Sequence, residues 1–301
     1  MRLLGRGSYG SVYLYQDADT TVALKSVNLR PGRCAALIEP ILACSLDHPY
    51  IAKSVWTHIH NNTLYMAFQL ADTDLDRWRN EHVPTNEQLR LYSWQLLQAL
   101  DYLHKRDIIH ADVKLQNVLV YHDCVQLTDF SLARMKHWSQ AYSPTTYVHR
   151  APEVWRGQPW DEGVDIWALG ISLYELAYDV IPTPYKLVEG WEKTEECIQL
   201  YNDTFNNWDI DVVLSNTRVE PQPIDDVIRR CLQVHDRPTA DMLLRLPWFE
   251  GLSVPESNTS LNWDLLDSEL LDDMANRRIK LKDWNERITS LNDRGFNIQQ
   301  L

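Results

Sequence analysis

The spacing of apolar positions changes partway along the chain. Residues 11–15 (SVYLY) and 21–27 (TVALKSV) are short β-type runs joined by the polar turn 16–20, which predicts a hairpin. Residues 62–70 read as a turn followed by an apolar strand. From about Asp74 the period becomes helical. Leu89, Tyr92, Leu96, Leu97, Leu100 and Leu103 fall on one face of a helix over 88–103. Residues 164–178 are apolar nearly all round, the pattern of a buried helix. Residues 225–232 and 239–246 predict two more helices. A small β-rich part therefore precedes a larger helical part, with the junction near 71–74. No internal repeat or low-complexity tract interrupts them.

The last segment has a different character. Residues 255–260 read as a linker. Trp263, Leu266, Leu270 and Met274 then recur at helical spacing. The first half of this tail is acidic (Asp264, Asp267, Glu269, Asp272, Asp273) and the second basic (Arg277, Arg278, Lys280, Lys282). Two readings stand: a helix packed on its own domain, or a tail that takes a regulatory partner.

Composition narrows the function classes. The 301 residues suffice for one large or two medium domains. Apolar residues make up 45% and charged residues 24%, the balance of an ordinary globular protein. The formal net charge of −13 argues against coating nucleic acid or an acidic membrane, which both need positive surface. Five scattered cysteines without CxxC spacing exclude a disulfide scaffold and a structural zinc site. No apolar signal core opens the sequence, and no run of about 18 apolar residues could span a bilayer. The expectation is an intracellular protein, cytoplasmic or nuclear, with no membrane insertion. The N-x-T pattern at 61–63 is then a chance sequon.

Four motifs carry chemistry. Gly5, Gly7 and Gly10 fit G-x-G-x-x-G-x-V, ending at Val12. Glycine lets backbone approach phosphate closely and adopt φ > 0. A strand follows instead of the helix that a dinucleotide-binding turn needs, so a β-hairpin lid over phosphates is expected. Val22-Ala23-Leu24-Lys25 ends an apolar strand in a lysine placed to reach phosphates. His110-Ala111-Asp112-Val113-Lys114-Leu115-Gln116-Asn117 sets Asp, Lys and Asn in one loop, and Leu127-Thr128-Asp129-Phe130 adds a second carboxylate. Phosphoryl transfer uses this set: a carboxylate to orient a hydroxyl, an amide oxygen and a carboxylate for Mg²⁺, and a lysine near the γ-phosphate. Arg150-Ala151-Pro152-Glu153 follows downstream.

With these motifs in this order, the sequence resembles the eukaryotic protein kinase family from Leu4 to Phe249. Asp165-Ile166-Trp167-Ala168-Leu169-Gly170 is similar to that family's buried central helix. Arg237-Pro238-Thr239-Ala240 is similar to the site whose Arg pairs with the Glu of A-P-E, here Glu153. The resemblance implies an α+β, two-lobed protein kinase fold, with a small β-rich N-lobe over 1–71, a larger, mainly α-helical C-lobe over 72–253, and a tail over 254–301. It implies a serine/threonine kinase that uses ATP and Mg²⁺ and acts on a protein substrate.

Residue by residue, the resemblance makes Asp112 the base that orients the hydroxyl and puts Lys114 on the γ-phosphate. Lys25, paired with Glu39, holds the α/β-phosphates, and Asn117 and Asp129 hold the metal. Leu4, Gly5, Gly7 and Gly10 cover the nucleotide, and Val12 and Ala23 roof its adenine. Phe68 is the gatekeeper, Gln69 to Ala71 form the hinge, and Leu119 floors the ring. Asp72 or Asp74 reaches the ribose.

This sequence departs from the family pattern at four points. Ala111 replaces the Arg of H-R-D, which normally receives an activation-segment phosphate. Independence from phosphorylation at Ser143 or Thr145 is therefore expected, with Thr146 a separate case that structures the substrate site. Ser131 replaces the Gly of D-F-G, at a cost on the order of 1–2 kcal/mol if that position has φ > 0. Glu39 is the only acidic residue between Lys25 and Asp47, yet Pro40 follows it and disfavours α geometry there, so a helix begins or kinks at that point. Residues 26–38 lack the helix signature by which cyclin-dependent kinases recognise cyclins, although the resemblance is loosely to that group and to MAP kinases. There, an Arg at the place of Arg150 often goes with proline after the target residue. Gln116 stands where basic-directed kinases carry Glu. Because little but the tail lies outside the catalytic unit, substrate choice is expected from the cleft, from 187–223 or from the tail. The rival to an active enzyme is a pseudokinase, a nucleotide-binding scaffold or allosteric partner. A kinase of small molecules or lipids is a third reading, disfavoured by the R-A-P-E segment.

Overall fold

The computed structural model describes residues 1–7, 10–16, 21–29, 38–60, 63–135, 146–182, 195–217 and 220–254. The fold is α+β and two-lobed. The smaller unit holds Met1–Asp72 and Thr128–Ala133, and the larger holds Thr73–Leu127 and Arg134–Ser253.

In the smaller unit, strands β1 (Arg2–Arg6), β2 (Ser11–Gln16) and β3 (Thr21–Asn28) precede helix α1 (Ile38–Ser45) and strands β4 (Ser54–His60) and β5 (Thr63–Gln69). They form one antiparallel sheet in the order β1-β2-β3-β5-β4. Leu24, Val27, Leu64 and Met66 from its strands are buried, as are Ile41, Leu42 and Leu46 in and after α1. The expected hairpin is present: Gly5 pairs with Val12 and Arg6 with Ser11. Its loop is closed by Gly7 N–H donating to Gly10 O at 2.9 Å. None of the three loop glycines has positive φ. Gly10 is required by close approach, since a Cβ there would lie 2.4 Å from Ser26 O on β3. Pro40 sits in the first turn of α1, where backbone N–H groups lack intrahelical acceptors, so its missing N–H costs little.

The larger unit follows with β6 (Thr73–Asp74), α2 (Leu75–Glu81), α3 (Asn86–His104), β7 (Ile108–Ile109), β8 (Val118–Tyr121), β9 (Cys124–Leu127) and β10 (Arg134–Met135). Then come α4 (Pro152–Trp155), α5 (Gly163–Tyr178), α6 (Glu195–Asn206), α7 (Ile210–Thr217), α8 (Asp225–Cys231) and α9 (Ala240–Leu244). Thr85 and Gln88 form a capping box at the start of α3, satisfying two orphan backbone donors. The predicted apolar stripe of α3, from Leu89 to Leu103, is buried. Every residue of α5 from Val164 to Leu176 is buried. Its two carboxylates survive there because each is hydrogen-bonded. Asp165 accepts from the backbone N–H groups of His110 and Ala111, both at 2.8 Å, and Glu175 accepts from Arg79 at 2.9 Å. The predicted tail helix over 263–274 lies outside the described residues.

Candidate active site

Sheet register gathers most of the smaller unit's residues that the sequence expectation assigns to nucleotide. Directly opposed residues of an antiparallel pair share a face. Val12 opposes both Gly5 and Lys25, Ala23 opposes Phe68, and Lys25 also opposes Met66. Ala23 and Lys25 are two apart on β3 and share that face. Gly5, Val12, Ala23, Lys25 and Phe68 therefore line one side of the sheet. Met66 joins them, a residue that the sequence reading passed over because its alternation is that of any core strand. Leu4 lies at the register shift of β1, between Leu3 and Gly5. Gln69 ends β5, and Ala71 follows it, partly exposed.

On the same face Lys25 is buried at 8% exposure and needs compensation. Glu39 Oε1 accepts from its Nζ at 2.5 Å and Asp129 Oδ1 at 3.0 Å. Burial works against the ammonium, but these two carboxylates outweigh it and raise the Lys25 pKa. Glu39 is the strained member: burial pushes its carboxyl up to about 7 against the pull of Lys25. For Asp129 burial also opposes ionisation, yet the Lys25 charge and the bonds from Ser131 hold it at about 2. Asp129 is thus an ionised carboxylate, suited to a cation.

Positive φ falls on Asp129 (65°), which caps the turn Phe130–Leu132 and accepts from Ser131 N–H at 3.3 Å. Ser131 does not have positive φ. The penalty expected of replacing glycine there does not arise.

In the larger unit, both oxygens of Asp112 are taken. Oδ1 accepts from Thr146 N–H at 3.2 Å and from Thr146 Oγ1 at 3.0 Å. Oδ2 accepts from Lys114 Nζ at 2.7 Å and Asn117 Nδ2 at 2.9 Å. Lys114 Nζ also donates to Thr146 Oγ1 at 2.9 Å, which links the loop to the end of the activation segment. Asn117 spends its amide hydrogens on Asp112 O and Oδ2, which turns Oδ1 into the end that can meet a cation. Leu119 pairs with Asp74 and Gln126 on β8. Ala111 is fully buried with φ of 63°, a left-handed conformation held by the Asp165 clamp on its own N–H and that of His110. Its methyl offers no donor to a phosphate. Ser143 and Thr145 lie outside the described residues.

Asp74 caps α2, accepting from Arg77 N–H at 2.9 Å, while Asp72 is exposed. Arg237 forms a fork on Glu153, at 2.8 and 3.2 Å. Arg150 lies with its guanidinium over the rings of Tyr147 and Trp155, at 4.4 and 4.7 Å from their centroids. Sequence could not anticipate that stacking, because Tyr147 and Trp155 carry no motif.

A family model described as "Protein kinase domain" matches residues 1–249, and the chain belongs to the protein kinase family. Similar proteins include "Cyclin-dependent kinase F-4" of Oryza sativa subsp. japonica, 29% identical over 66% of this chain and 44% of that protein. "Cell division control protein 2 homolog 3" of Trypanosoma brucei brucei is 28% identical, over 83% of this chain and 90% of its own length. "Serine/threonine-protein kinase Nek9" of Xenopus laevis is 28% identical, over 82% of this chain and 27% of its own length. The chain thus spans less than half of the first relative and about a quarter of the third. No helix among the described residues is long and apolar enough to cross a membrane.

Proposed function

We propose that the chain is a serine/threonine protein kinase that transfers the γ-phosphoryl group of ATP to a protein hydroxyl. The observation that carries this reading is the Asp112 carboxylate, fixed by Thr146, Lys114 and Asn117. A carboxylate so held presents a set direction to an incoming hydroxyl, which orients it and accepts its proton. Lys114, bonded to Asp112, supplies positive charge for the transferring group. Lys25, kept charged by Glu39 and Asp129, anchors the α/β-phosphates. Leu4, Gly5, Gly7 and Gly10 cover the nucleotide, Val12, Ala23, Phe68 and Leu119 enclose its base, and Gln69 and Ala71 offer backbone groups. Asp72 or Asp74 reaches the ribose.

Mg²⁺ fits the donors present: it takes hard oxygen ligands and fills out its shell with phosphate oxygens and water. Asn117 Oδ1 and the ionised Asp129 would hold it. When bound it neutralises charge on the phosphates. The N-lobe, C-lobe and tail divisions at 71/72 and 253/254 belong to the same proposal, as does the tail as a place for a regulatory partner. A protein substrate is supported by Thr146, which ties the segment ending in R-A-P-E to the base.

Ala111 supports activity without activation-segment phosphate, because no arginine waits there for one. It also motivates the second reading, a pseudokinase that binds nucleotide without transfer. One assay separates them. Labelled ATP with Mg²⁺ is offered to generic protein substrates, with Asp112→Asn in parallel. Transfer by the wild type to Ser and Thr, reduced by orders of magnitude in the variant, is the expected result. Equal, background-level signal from both would overturn the kinase reading.

A further inference from the structure

A groove of about 430 Å³ lies in the larger unit, lined by Pro182 and by residues of α6, α7 and their connection, including Thr204, Trp208, Val212 and Val213. Its floor is fixed. Trp208 donates from Nε1 to Leu232 O at 2.9 Å, and its ring lies 5.5 Å from that of Trp167 and 5.8 Å from that of Phe205. Val212 on the groove is 53% exposed, so its side chain is available to a ligand seated on Trp208. The surrounding sequence is one-sided in charge: from Glu195 to Thr217 there are five carboxylates and no Lys or Arg. Asp203, Asp209 and Asp211 of that stretch are exposed. Among the described residues, Arg229 pairs with Asp211 and Arg156 reaches Asn206, while no ion pair takes Asp203 or Asp209. Asp209 itself lines the groove. An apolar, preformed floor inside an acidic rim selects for charge as well as shape.

We propose that this groove docks a cationic peptide segment of a partner protein. One or two branched aliphatic side chains would sit on Trp208 and Val212, and flanking Lys or Arg side chains would meet the acidic rim. The proposal goes beyond phosphoryl transfer, and its readout is binding alone.

The test uses the full chain and a fluorescein-labelled peptide of about a dozen residues, with a Leu-Leu pair flanked by Arg and Lys. Anisotropy is expected to show binding that weakens with salt. Val212→Lys should weaken it about tenfold or more. Asp203→Lys, next to the groove residue Thr204 on α6, should weaken it too. Val83→Lys, at a site 92% exposed outside the groove, should leave it unchanged. The same peptide with Glu for every Arg and Lys should not bind. The proposal is overturned by no binding, by equal binding of the Glu peptide, or by equal effects of Val212→Lys and Val83→Lys. A wild-type dimer in sedimentation that Val212→Lys converts to monomer would assign the groove to a second copy and overturn it as well.

Discussion

His149, in the short turn after Thr146, makes the stability of the larger unit depend on pH in a way that one substitution can remove. The side chain is buried at 3% exposure. Neither ring nitrogen has a hydrogen-bond partner, and Glu175 Oε2 stands off at 3.9 Å from Nε2. Burial dominates and pushes the imidazole from 6.5 down to about 4, against the attraction of Asp112 and Asp76. Below pH 6.5 the unfolded chain therefore takes up a proton that the folded chain refuses. Stability is intact above that pH and falls as pH drops toward 4. Each pH unit crossed costs about 1.4 kcal/mol, so the whole fall is on the order of 3 kcal/mol. His149→Phe keeps an aromatic ring, abandons no hydrogen bond and removes the titration. Urea midpoints followed by tryptophan fluorescence from pH 8 to pH 4.5 read the difference. The wild type should lose stability relative to His149→Phe by an amount that grows as pH falls. A constant gap between the two across that range would refute the burial argument.

Four other outcomes follow from named contacts. Gly10→Ala should lower the melting temperature, because its Cβ would meet Ser26 O at 2.4 Å, whereas Gly5→Ala and Gly7→Ala meet nothing within 4 Å and should leave it unchanged. Arg237→Ala strands the Glu153 carboxylate and should cost about 3 kcal/mol in chemical denaturation. Ser131→Gly relieves no backbone strain, since the left-handed residue is Asp129 and not Ser131, and should lower stability by about 1 kcal/mol or more by removing the hydroxyl's bond to the Asp129 carboxylate. Replacing Ser143 or Thr145 singly by Ala should preserve phosphate transfer; complete loss, rescued by an acidic side chain at the same place, would contradict the reading of Ala111.

How much was legible depended on the range of the interaction. The helix around Leu89–Leu103 and the buried helix around Trp167 announced themselves because burial imposes a period on many residues at once. The strands of the glycine hairpin were equally plain, and the loop motifs placed Asp112 and Asn117 together because they are near in sequence. Helix α1 was harder to read. It spans eight residues in IEPILACS, and its proline reads as a breaker until one sees that it falls in the first turn. Helices α6 and α7 are not legible in the sequence because Asn, Asp and Thr dilute their apolar face and favour caps and turns over helix interiors. The contacts of Lys25 with Glu39 and Asp129 reach 14 and 104 residues along the chain, and no local pattern encodes them. The left-handed backbone at Ala111 and Asp129 was hidden for a related reason. It is imposed from outside at Ala111, by Asp165 on a distant helix, and at Asp129 it accompanies a cap on the next turn.

The central claim is that the ionised Asp129 serves phosphoryl transfer and not only the structure around Lys25. The direct measurement compares the wild type with Asp129→Asn for two quantities: binding of labelled ATP, and Mg²⁺-dependent transfer of its γ-phosphate to protein Ser and Thr. The account predicts that the wild type transfers phosphate and that the variant, still folded, does not. Transfer by the variant at the wild-type rate, or ATP binding without transfer by the wild type, would contradict it.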